Sequence, residues 1–143
     1  MTSTWLWLPL ALLSAVFAAL VAIFGKIGLS KVDSTVATMI RAAFMFLLLL
    51  TVVLVSGKWQ MISTVHGKAL LYVALAGTAG ALSWIFYFWA LNVGKASQVA
   101  PIDRFSAVIT VILAVLILGE RVNWKVGVGA LVMTLGAILV ALG

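Results

Sequence analysis

The sequence has no cysteine and a single histidine, His66. No disulfide, thiolate nucleophile or cysteine-bound zinc can form, and one histidine argues against a histidine metal cluster or a catalytic triad. Acidic residues are as scarce: Asp33, Asp103 and Glu120 stand against nine lysines and arginines. Charged residues make up 8% of the 143 residues, where a soluble domain carries about 25%. Twelve charges cannot coat a water-exposed surface of this size, so a soluble globular domain is excluded. No nucleophile–base pair, cofactor motif or metal set is present, and neither an enzyme nor a cofactor is expected.

What remains is apolar. Hydrophobic residues are 66% of the chain and mean hydropathy is +1.32. A helix needs about 20 apolar residues to cross a hydrocarbon core of roughly 30 Å. Charge-poor runs of that length occur at 5–28, 35–55, 69–93, 96–118 and 124–142. Barrel strands would alternate apolar and polar residues over about 10 positions, and these runs do not. The reading is therefore an all-α integral membrane protein, one domain over 1–143. Its five transmembrane helices are antiparallel to their neighbours because the joining loops are short. Asp33, Ser34 and Thr35 offer N-cap oxygens to the second helix, and Glu120 would suit the N-terminus of the fifth. A cleaved signal peptide is not expected: Met1–Trp7 has no Lys or Arg, and the apolar run is too long.

The net charge of +6 would suggest nucleic acid in a soluble protein. Here the basic residues stand singly between apolar runs, as membrane-flanking charges do, and no nucleic-acid partner is expected. Lys58, Lys68, Arg121 and Lys125 fall on the N-terminal side of the bilayer. Lys26, Lys31 and Lys95 fall on the other, joined by Arg41 and Arg104 if those are counted. Lys/Arg bias normally sets orientation. Near balance predicts insertion both ways round, the alternative being that helix hydrophobicity selects one orientation. Trp5, Trp7, Trp59 and Trp124 gather at the N-terminal-side boundary as an interfacial belt would.

Asp103 lies about 10 Å into the fourth span, and Arg41 about 9 Å into the second from the same side. An ionisable side chain at such depth is a functional candidate by default. The two can meet across helices, either in a site or as a structural ion pair. Arg104 points about 100° away from Asp103, and Lys26 approaches from the same side. Trp84 and Tyr87 come to similar depth in the third span. With Gly77, Gly80 and Leu91 they follow helical spacing, so small residues would open a hollow that the rings bound. Pro101 removes a backbone hydrogen bond two residues before Asp103, and broken helices beside ionisable groups point to transport sites. Gly129 and Gly136 leave a small-residue face on the last helix for close contact with another helix.

These residues resemble a known family. Ala90-Leu-Asn-Val-Gly-Lys-Ala-Ser97, Ala100-Pro101-Ile102, Ile117-Leu118-Gly119-Glu120-Arg121 and the glycine-rich run from Gly127 to Gly143 look like an EamA-type half of the drug/metabolite transporter superfamily. The small five-helix bacterial and archaeal members have this size. The plan is also similar to small multidrug resistance proteins, which work as antiparallel homodimers and whose last helix carries a comparable glycine heptad. Those proteins use an acidic residue in the first helix, and this first span has none. Asp103-Arg104 after the proline suits a polar, zwitterionic or anionic substrate better than a lipophilic cation.

The resemblance implies a secondary transporter in a bacterial or archaeal inner membrane, working by alternating access on a small molecule. An antiparallel homodimer would restore an inverted repeat. Asp103 would titrate a proton or meet a substrate amine, with Arg41 holding it ionised. Arg104 and Lys26 would draw carboxylate or phosphate groups, and Trp84 and Tyr87 would pack the organic body. A heteromeric half-transporter and a non-transporting membrane scaffold are the alternatives.

Overall fold

The computed structural model describes residues 6–143, so Trp5 lies outside the described residues. Among these residues every regular element is helical: α1 (Trp7–Gly28), α2 (Ser34–Val55), a 3₁₀ turn (Trp59–Thr64), α3 (Lys68–Val93), α4 (Ala96–Asp103), α5 (Ser106–Leu118) and α6 (Trp124–Leu142). Five spans are long and apolar enough to cross a membrane, the fourth comprising α4 and α5 together. At about 1.5 Å per residue α3 is roughly 39 Å long, more than the hydrocarbon thickness, so it crosses tilted or extends into the headgroups.

The chain divides into two compact units. Residues 27–92 form one, built from α2, the 3₁₀ turn and α3. Asp33 starts α2 by accepting from the backbone N–H groups of Thr35 and Val36 at 2.8 and 3.1 Å. Such a cap is worth about 1 kcal/mol. The buried residues Leu29, Ser34, Thr38, Tyr87, Phe88 and Leu91 cluster at the start of α2 and the end of α3. Thr38 can be buried there because its hydroxyl donates to the Ser34 carbonyl at 2.7 Å. Away from this end α2 and α3 present large apolar side chains such as Phe44, Leu48 and Tyr72 to their surroundings. Exposed apolar surface on that scale suits lipid or a protein partner, not water.

Residues 6–26 and 93–143 form the other unit. Here α6 packs against both α4 and α5. Lys26, at the end of α1, donates from Nζ to the Gly94 carbonyl at 2.8 Å. The α4–α5 interruption is a tight turn. Phe105 N–H bonds Ile102 O and Ala107 N–H bonds Arg104 O, each three residues back, where an unbroken helix would reach four back. It follows Pro101, which has no N–H and pushes on the carbonyl one turn earlier. Gly119 ends α5 at φ +67°, a left-handed conformation that a side chain would strain. The N-cap of α6 is Asn123, whose side chain accepts from Lys125 N–H at 3.3 Å. That corrects the expectation for Glu120: a capping oxygen must come from the residue next to the first helical one.

Candidate functional site

In the unit of residues 27–92, α2 and α3 are joined by side chains. The Arg41 guanidinium carbon lies 3.4 Å from the centre of the Trp84 ring and 5.6 Å from that of Phe88. At the shorter distance only face-on stacking fits. The ring's negative face attracts the cation, and the buried Tyr87 side chain interacts with it electrostatically. Trp84 is held in turn by Tyr87, edge-on at 5.4 Å, and Phe88, tilted at 5.9 Å. Nearer the start of α2, Trp89 Nε1 donates to Thr35 Oγ1 at 3.2 Å.

Beyond these bridges the two helices leave a groove of about 790 Å³. From α2 it is lined by Thr35, Thr38, Arg41, Met45, Phe46 and Leu49 among others, and from α3 by Gly77, Gly80, Ala81, Trp84 and Ile85. A Cβ placed on Gly77 or Gly80 would meet nothing within 4 Å, so these glycines create open space. Half-buried Arg41 is the one charged residue in the lining. Its own unit contains a single carboxylate, Asp33, committed to the α2 cap about 12 Å away along the helix.

Of the residues singled out from sequence, Arg41 and Trp84 are thus in contact in one groove. Tyr87 and Leu91, on the same stripe of α3, are buried below Trp84 and do not line it. The rest of the α2 wall is not among those residues, although Thr35, Thr38, Ala42, Met45 and Leu49 repeat at helical spacing. Asp103, Arg104, Lys26, Pro101, Gly129 and Gly136 belong to the other unit. Asp103 is the last residue of α4 and partly buried; exposed Arg104 follows as its C-cap, where a cation is favoured. Both therefore stand at a helix interruption inside a span, where backbone groups are freed from the helical ladder. Lys26 is engaged by Gly94. Cβ atoms on Gly129 and Gly136 would meet nothing within 4 Å. Among the described residues no three His, Asp or Glu side chains come together to hold a metal.

Residues 5–142 match the EamA-like transporter family. The chain belongs to that family. A Sinorhizobium protein named as an uncharacterized transporter in the cobO 3′ region is 42% identical over 135 residues, covering 94% of this chain and 96% of its own. An uncharacterized protein of Methanocaldococcus jannaschii is 28% identical over 133 residues, covering 93% and 94%. No solved structure matches. Family membership and five apolar spans make the chain an integral membrane protein of a transporter family. EamA membership also points away from an enzyme.

Proposed function

We propose that the chain is a secondary transporter that moves a small polar metabolite or drug-like molecule by alternating access. The observation that carries this reading is Arg41: a half-buried cation in a groove between two membrane-spanning helices. A charge at that depth is costly unless it serves a passing ligand or is fully paired. In this reading Arg41 anchors the substrate and Trp84 packs its organic body. Asp103, at the interruption of the fourth span, carries the proton or meets a substrate amine. Arg104 and Lys26 add positive potential, and Pro101 sets the interruption.

The working unit in this reading is an antiparallel homodimer in the inner membrane of a bacterium or archaeon. Three points support it. The matched relatives are themselves covered over 96% and 94% of their length, so chains of about this extent recur. An odd number of spans needs an inverted copy to complete an inverted repeat. The open space over Gly129 and Gly136 suits a helix from the second copy.

The test uses purified protein in proteoliposomes with a pH gradient and an internal pH dye, challenged with a panel of amino acids and organic acids. Wild type is expected to move protons with at least one of them, and Asp103→Asn to lose that flux. Undiminished proton flux in Asp103→Asn would remove Asp103 from the mechanism.

A further inference from the structure

The groove between α2 and α3 is itself amphipathic. Its polar lining residues on α2, namely Thr35, Thr38 and Arg41, fall within about 9 Å at one end. From Arg41 to Leu49, a further length of about 12 Å, the α2 wall is Ala42, Met45 and Phe46. The facing part of α3 runs antiparallel, since Trp89 meets Thr35 and Trp84 meets Arg41. Gly77 therefore lies towards the Leu49 end, where its missing side chain leaves the wall flat.

The electrostatics are one-sided. Stacking on Trp84 stabilises the Arg41 guanidinium without neutralising it. A guanidinium stacked by its face on a ring can still offer its edge to a bidentate carboxylate or phosphate. The unit's only carboxylate is committed elsewhere, so no acidic side chain of the unit lines the groove. An organic cation would meet Arg41 as a like charge. A small inorganic anion would leave the apolar length unfilled.

From this we infer that the groove takes an amphipathic anion, its carboxylate or phosphate head on Arg41 and its apolar body laid towards Leu49. The inference rests on the reading of this groove as the substrate-binding surface, and it names the substrate class. A membrane-soluble acid and an anionic lipid headgroup share that chemistry.

The probe is radiolabelled 2-naphthoate, bound at equilibrium to the full chain in phosphatidylcholine nanodiscs, with empty discs as background. Wild type is expected to bind it saturably. Arg41→Gln and Gly77→Leu should each weaken binding by about tenfold or more, while Arg41→Lys, which keeps the charge but not the fork, loses less. A Cβ at position 77 would meet nothing within 4 Å, and circular dichroism checks that each variant folds. Acetate, a head without a body, and 2-naphthylmethylammonium, a body with the opposite charge, should fail to displace the probe. Phosphatidylglycerol in the discs separates the two sources: competition assigns the groove to lipid, and unchanged binding assigns it to a soluble acid. Absent saturable binding, a smaller loss in Arg41→Gln, or displacement by the ammonium analogue would overturn the inference. Binding reads occupancy without turnover, so naphthoate binding with no proton flux for any compound of the panel would defeat the proton-coupled transporter reading and leave this one standing.

Discussion

The Arg41 guanidinium stacks at 3.4 Å on the Trp84 ring, joining α2 to α3. Cation–π pairs range from about 0.5 kcal/mol when exposed to about 2 when desolvated. A double-mutant cycle of Arg41→Ala and Trp84→Ala, read by denaturant unfolding in mixed micelles, should give a coupling near ~1 kcal/mol. Trp84→Phe should keep part of it. Additive single mutants would mean the stack contributes nothing to holding α2 and α3 together.

Lys26 donates to the Gly94 carbonyl from a partly buried position. Hydrogen bonds that involve a charged group contribute about 1.5–3 kcal/mol. Lys26→Met should lose stability on that scale in the same unfolding assay, and Lys26→Arg much less. Equal stability of wild type and Lys26→Met would show that the bond is compensated.

Pro101→Ala returns an N–H to the fourth span. If the proline causes the interruption after Asp103, the helical ladder should extend through it. Amide hydrogen exchange at Phe105 and Ser106 should then slow by about tenfold. Unchanged exchange would locate the cause in Arg104 and Phe105 themselves.

If the five spans alternate across the bilayer, the basic residues divide almost evenly between its two faces. A C-terminal reporter active in one compartment only should therefore signal in both of its paired versions. Gln60→Lys with Ser63→Lys adds two charges to the N-terminal face, which should then stay cytoplasmic and carry the C-terminus outwards. A wild-type reporter confined to one side would favour a heteromeric partner over an inverted second copy.

The five spans were legible because length and absence of charge identify a membrane helix almost unaided. The Asp33 cap was legible from residue type and position. The 3₁₀ turn at Trp59–Thr64 is not legible, since six residues are too few for periodicity to register. Depth arithmetic put Arg41 and Trp84 at comparable levels, but depth carries no rotation. Whether a side chain faces a groove or a packed end depends on how two helices turn towards each other. That is why Trp84 lines the groove while Tyr87, three residues on, is buried beneath it.

The bond from Lys26 to Gly94 spans 68 residues of sequence. Ribosomes add about 5–20 residues per second, so its acceptor emerges roughly 3–14 s after its donor. During that interval the Lys26 ammonium cannot yet meet the carbonyl it will finally hold. This tie between the first span and the stretch that leads into the broken fourth span can therefore close only when more than half the chain has been made.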